Sequence, residues 1–207
     1  MTDENFEKVL SEIKIKVREY EGEKRFSHTL CVIKEAEYIC SKLSFDRSDR
    51  ESVVIAATLH DITKKFTLDE HGKIASEYGF ELDDSEPTVH EKTGAYFARE
   101  IFGNDIVNDK VFSAISSHTT GSTSMSLTDM ALFIADFTEE SRKYENCIKI
   151  REYLHRECEK INGDHAKAEE VLKDVTLKII YSTVEHLLCE HEKINLRTIA
   201  AWNSMLN

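Results

Sequence analysis

Proline is almost missing from this chain and glycine is scarce: one and seven residues among 207. An all-β fold needs many tight turns, so this shortage argues against one, and the helical periodicity of the chain's apolar residues makes an all-α fold the expectation. No apolar run approaches the roughly 18 residues of a membrane span, so no membrane role is expected. The N-terminal stretch MTDENFEKVL is acidic and lacks a basic-then-apolar signal pattern, which makes the cytoplasm the expected location. The cysteines Cys31, Cys40, Cys147, Cys158 and Cys189 are odd in number and contain no C-x-x-C pair. They read as reduced thiols, not as a disulfide or zinc framework. Positive charge is also short. A formal net charge of −12 disfavours binding to nucleic acid, which needs a basic face. It leaves room for a small anionic substrate, because a bound metal inverts the local potential. Phosphate-cradling loops of the G-x-x-x-x-G-K-[ST] or G-x-G-x-x-G kind are missing, as is a G-x-S-x-G elbow. HEKTG at 90–94 lacks the second histidine of H-E-x-x-H, which argues against a zinc protease.

What is present is helical periodicity. Apolar residues make up 41% and charged residues 32%, as in an ordinary globular protein. Phe6, Val9, Leu10, Ile13 and Val17 define a helix over 4–20, and Leu30, Ile33, Tyr38, Ile39 and Leu43 define one over 27–43. A third helix is expected over 48–60. Thr67 with Glu70, and Thr88 with Glu91, fit capping boxes that open the next two helices, and Gly103 is placed to end the second of them. A short helix follows over 107–117, then the loop-like TTGSTSMS, then a helix capped by Ser126. After about residue 145 come a long amphipathic helix carrying Val171, Leu172, Val175, Ile179, Val184 and Leu188, and a shorter one in NLRTIAAWNSML. The economical organisation is one helical domain over 1–207, with a core from about 20 to 145 and the helices of 145–207 packing on it. A homodimer is compatible with this organisation.

Several ionisable residues fall where apolar ones are expected. His28 lies in RFSHTLCVI, His60 and Asp61 follow Leu59, His90 heads an apolar helix, His118 ends VFSAISSHTTG, and Asp136 sits in ALFIADF. Singly, each reads as a hydrogen-bonded core residue. Jointly, five helices each delivering one point to a metal site. Imidazole with carboxylate suits iron, manganese, zinc or cobalt, and the lack of cysteine disfavours a structural zinc. His60 and Asp61 diverge by about 100° on a continuous helix. They share a metal only where the helix ends or bends; alternatively, they hold two neighbouring ions with the aspartate bridging. Lys64 lies on the same side of that turn, as a phosphate-facing cation or as an exposed partner of Asp61. His71, His155, His165, His186 and His191 sit among charged residues and read as surface histidines.

His28, His60-Asp61 and Asp136 resemble the H…HD…D signature of the HD-domain superfamily of metal-dependent phosphohydrolases. KRFSHTLCV, AATLHDITK, HEKTGA, AISSHTTGSTSMSLTDMALFIADFTEESR and TIAAWN look like its YqeK-type branch, from about residue 24 to the end. That branch is known for iron-dependent, symmetrical hydrolysis of bis(5′-nucleosyl) tetraphosphates. The resemblance implies an HD-type bundle with iron, one or two ions, or manganese or zinc in its place, held by His28, His60, Asp61 and Asp136. His90 and His118 would complete a second metal position or contact the phosphate chain. Arg25, Lys64, Thr119 and Arg142 match positions expected to touch the nucleotide's phosphates, and Asp61 and Lys64 would act in the reaction itself. The implied activity is cleavage of diadenosine tetraphosphate to two ADP. The alternatives are another HD-family nucleotide or phosphate-ester hydrolase, and a non-catalytic nucleotide-binding protein. Three positions depart from the family pattern: TEESR lacks a proline, Glu91 stands where a small residue is usual, and Trp202 stands where arginine is frequent.

Overall fold

The computed structural model describes residues 2–82, 88–161 and 163–206. Among them run nine helices and no strand: α1 Asp3–Lys42, α2 Arg47–Leu59, α3 Leu68–Glu77, α4 Val89–Phe102, α5 Asp109–Ser117, α6 Leu127–Thr138, α7 Glu145–Cys158, α8 His165–Cys189 and α9 Leu196–Met205. The all-α expectation holds. The two expected N-terminal helices run on as α1, with one break at Gly22, whose φ of 66° and ψ of 167° a side chain would resist.

Two helices form the centre. Every residue of α2 from Ser52 to Leu59 is buried, and so is every residue of α6 from Thr128 to Ala135. A helix apolar on all sides must be surrounded. α1 and α5 each pack against both, α4 reaches α2 and α5, and α8 covers α6. Ala56 and Ala57 are fully buried, and their small side chains let the neighbours of α2 approach closely. α7 packs on α6 and α8.

Local chemistry sets most ends as the sequence indicates. Thr67 and Glu70 make the reciprocal capping box of α3, Ser126 caps α6, and Gly103 ends α4 with φ 78°. The Thr88–Glu91 box does not form. Thr88 makes no side-chain cap hydrogen bond to α4, its backbone being helical (φ −110°, ψ −11°) where a capping residue is extended, and Glu91 is turned inward to other partners. α7 corresponds to no helix expected from the sequence. Its buried residues Cys147, Ile150, Leu154 and Cys158 have helical spacing, but two of the four are cysteines in a highly charged segment. Leu188, assigned above to the apolar face of α8, is 59% exposed.

The described cysteines are all free thiols. Burial pushes Cys40 and Cys158 up to about 12, while Cys189 is exposed. Because the thiolate is the reactive form, an aromatic disulfide reagent at pH 8 should modify Cys189 rapidly in the native protein and reach Cys40 and Cys158 only after denaturation. Peptide mapping of the labelled protein checks this.

Candidate metal centre

The ligand candidates arrive from helix ends, where backbone geometry frees the side chains. α2 stops at Leu59, and the chain tightens into successive three-residue turns: Ile62 N–H to Leu59 O, Lys64 N–H to Asp61 O and Phe66 N–H to Thr63 O, at 2.8–3.1 Å. This tightening brings the adjacent His60 and Asp61 side chains together, with Nε2 and Oδ2 3.3 Å apart. His118 is the residue after α5, His90 the second of α4, Asp136 lies in the last turn of α6, and His28 is on α1 beyond the Gly22 break.

The six residues form two triads. His28, His60 and Asp136 make one, and Asp61, His90 and His118 the other; within each, the ligand atoms lie within 4.8 Å of one another. Asp61 connects them. Its Oδ2 faces His60 Nε2 at 3.3 Å and His28 Nε2 at 3.8 Å, while its Oδ1 faces His90 Nε2 at 3.2 Å and His118 Nε2 at 3.9 Å. His28 Nε2 is 3.1 Å from Asp136 Oδ1, and the Nε2 atoms of His90 and His118 are 3.0 Å apart.

The ring orientations are fixed from behind. His60 Nδ1 donates to Ala57 O at 2.8 Å, and His118 Nδ1 donates to Ile115 O at 2.7 Å. His28 Nδ1 donates to Glu139 Oε1 at 3.2 Å. An Nδ1–H held by a carbonyl or carboxylate leaves Nε2 as the ligand atom, the usual outer-shell arrangement around metal-bound histidine. The Nε2 atoms of His28 and His60 are both buried and lack a hydrogen-bond partner. Buried polar atoms are nearly always satisfied, so two of them aimed at carboxylates fit a divalent cation. The cluster is a divalent-metal site by its chemistry.

The electrostatics agree. Burial alone would raise the Asp61 and Asp136 carboxyls. His60, His90 and His118 hold Asp61 well below the usual carboxylate range, and Arg142, His28 and His60 do the same for Asp136. Burial lowers His28, but Asp136 and Glu139 outweigh it and bring it up to about 9. Burial and neighbouring positive groups depress His90 and His118, which favours the neutral, ligating imidazole.

Cations surround the cluster. Arg25 Nη2 lies 2.6 Å from Asp61 Oδ2, and Arg142 Nη2 lies 2.7 Å from Asp136 Oδ1. Lys64 Nζ approaches the ring nitrogens of His90 at 3.1 and 3.2 Å, and Thr119 Oγ1 is 3.4 Å from His90 Nε2. Burial and the guanidiniums of Arg25 and Arg142 lower the Lys64 pKa, against the pull of Asp61. A cavity of about 300 Å³ opens beside Lys64 and His90, with Phe66, Leu68 and His71 among its lining residues. All ten residues singled out from the sequence therefore meet in one place.

Three carboxylates or imidazoles of consequence escaped the sequence pattern. Glu139 is fully buried and orients His28; burial raises its carboxyl, but His28 and Ser141 bring it down to about 2. Glu91 is also fully buried. It accepts from the Thr119 and Thr120 amides at 3.0 and 3.1 Å, from Thr120 Oγ1 at 2.7 Å and from Arg197 Nη1 at 2.8 Å. It thereby pins the loop that follows His118. His71, expected at the surface, is buried with Nδ1 2.7 Å from Thr93 Oγ1, because α3 packs on α4. Glu139 could have been suspected as a charge directly after an apolar helix. Glu91 and His71 pair with residues more than 20 positions away, which no local pattern encodes.

An all-α bundle whose helix ends converge on a buried His/Asp divalent-metal site defines the class of protein. Within that class the chain belongs to the HD-domain family, whose family model, described as HD domain, matches residues 25–199. It is 28% identical over 199 residues to a protein of Halalkalibacterium halodurans named symmetrical bis(5′-nucleosyl)-tetraphosphatase, covering 92% of this chain and 93% of that one. A Bacillus subtilis protein of the same name is 23% identical, covering 92% and 94%. Among solved structures, a predicted HD superfamily hydrolase involved in NAD metabolism from Clostridium acetobutylicum superposes with a TM-score of 0.78 at 26% identity, covering 95% of this chain and 96% of that one.

A proton on His28 stands where a cation would be attracted, so metal and proton compete. A pKa raised from 6.5 to about 9 stabilises the metal-free fold fully below pH 6.5, and this contribution is lost as pH rises through 9. Metal-free protein should lose thermal stability over that window. Titrating manganese or zinc into it at pH 7 should release protons, read as a buffer-dependent calorimetric enthalpy. No release would contradict the ligand assignment of His28.

Proposed function

We propose that this protein is a metal-dependent phosphohydrolase that cleaves dinucleoside tetraphosphates symmetrically, diadenosine tetraphosphate to two ADP. The observation that carries the reading is the Asp61 carboxylate between two histidine groups, ringed by Arg25, Lys64 and Arg142. The names of the relatives support the same reading. His28, His60, Asp61 and Asp136 would hold one divalent ion, and His90 and His118, with Asp61, a second. Iron is the metal we assign, with manganese or zinc able to use the same ligands. Bound there, divalent ions supply Lewis acidity, acidifying water and drawing charge from phosphoryl oxygens.

The chain's own groups then have distinct tasks. Asp61 orients the attacking water. Arg25 and Arg142 exchange their carboxylate partners for substrate oxygens and neutralise the polyphosphate chain. Lys64 and the Thr119 hydroxyl face the same oxygens beside His90, and Lys64 stabilises charge that builds on the departing phosphate. Water adds across the central P–O–P bond: one ADP receives the hydroxyl and the other leaves as phosphate, taking the proton. Glu139 and Glu91 never meet substrate; they hold His28 and the Thr119 loop in place. A net charge of −12 over the whole chain fits a small nucleotide held in this cation-lined pocket and repels nucleic acid, and we assign the cytoplasm as the working compartment. A homodimer is compatible with these roles.

Iron-loaded protein should convert diadenosine tetraphosphate to ADP alone by chromatography. ATP plus AMP would rule out symmetrical cleavage, and turnover of only other phosphate esters in a substrate panel would assign a different HD hydrolase. Asp61→Ala should lower kcat by at least about 10³-fold, since it removes a shared ligand and an orienting group together. Activity surviving that change would sink the mechanism.

A further inference from the structure

Two aromatic rings stand on the C-terminal helices. Tyr181 of α8 is 58% exposed, and its ring centroid lies 6.5 Å from that of Trp202 on α9, the chain's one tryptophan. Trp202 is half-buried and packs in part against the core, which steadies its ring. The residues beside them in sequence tie the pair to the phosphate-facing segments from two directions. Ser182 accepts a hydrogen bond from Asn146 Nδ2 at 2.9 Å, four residues beyond Arg142. Ala201 packs on Gly121, two residues beyond Thr119, so closely that a Cβ at Gly121 would sit 3.0 Å from the Ala201 Cβ. Gly121 holds φ +73°, so this approach depends on glycine. The helix stretches that carry the aromatic pair therefore touch the segment that follows Arg142 and the segment that follows Thr119.

The groups that converge at the metal centre are imidazoles, carboxylates, guanidiniums, an amine and a hydroxyl, and they suit phosphate. A nucleoside needs a flat apolar surface instead. We propose that Tyr181 and Trp202 form a stacking platform for one nucleobase of the substrate whose phosphates face Arg142 and Thr119. This rests on the dinucleoside polyphosphate reading above. Every base has a π-face that stacks on an aromatic ring, so the platform selects nucleosides over inorganic polyphosphate while discriminating little between adenine and guanine. A second copy of the chain is the other occupant such a face could take, since Leu188 on α8 and Leu206 just after α9 are also exposed. Two chains of net charge −12 repel each other, whereas a neutral base does not.

The single tryptophan makes the test direct. In metal-loaded protein, ADP should quench Trp202 emission saturably, and inorganic pyrophosphate, which has no base, should not. Tyr181→Ala should weaken the ADP response. Trp202→Ala should raise KM for diadenosine tetraphosphate on the order of tenfold, with kcat within about twofold and with inhibition by pyrophosphate unmoved. Trp202→Phe should recover most of the loss. Symmetrical cleavage with Trp202 emission blind to ADP, and with KM unmoved in Trp202→Ala, would leave the activity standing and overturn the platform. So would emission that responds to protein concentration through a dimer and not to ADP. Saturable quenching by ADP in a protein that splits no dinucleoside polyphosphate would support the platform and overturn the activity.

Discussion

One carboxylate organises the molecule. Asp61 offers an oxygen to each of two histidine groups, Oδ2 towards His60 and Oδ1 towards His90. Placing such an anion in a helical core costs several kcal/mol unless it is matched by cations and hydrogen bonds. In this protein the match is dense: Arg25 lies directly on the carboxylate, and three imidazoles hold it ionised. Removing any of these partners leaves the others facing an uncompensated charge.

The fold follows from that requirement. α2 is buried on every side, as only a central helix can be, and its last turn delivers His60 and Asp61 to the middle of the bundle. The break at Gly22 divides α1 ahead of the stretch that carries Arg25 and His28. α4 and α5 bring His90 and His118 from the opposite side, and α6, buried like α2, supplies Asp136 near its end. Glu139 and Glu91 then fix what the helix ends leave loose. One holds the His28 ring, and the other ties the Thr119–Thr120 backbone to Arg197 of α9. The C-terminal helices are thereby part of the site's support.

Much of this was legible before the structure. Apolar spacing marks most helices because burial repeats every three to four residues. The cluster stands out because an ionisable residue inside an apolar run needs an explanation, and His28, His60, Asp61, His90, His118 and Asp136 come together in the two triads. Capping chemistry was legible at Thr67 and Ser126, where the partners are three residues away. It misled at Thr88, since Glu91 could serve either the cap or the core, and the buried site opposite Arg197 and Thr120 won. His71 misled for the same reason: its charged sequence neighbours conceal a buried contact with Thr93, made only when α3 docks. α7 was missed because cysteines fill half of its buried stripe. Local patterns report local partners, and Glu91 and His71 depend on distant ones.

The bridging position proposed for Asp61 is open to direct observation. Crystals of metal-loaded protein, measured on either side of the absorption edge of the loaded metal, should show two anomalous peaks. One is expected among His28, His60 and Asp136 on the Oδ2 side of Asp61, and the other beside His90 and His118 on the Oδ1 side. A single peak that leaves His90 and His118 unligated, or a peak out of reach of Asp61, would contradict the bridge.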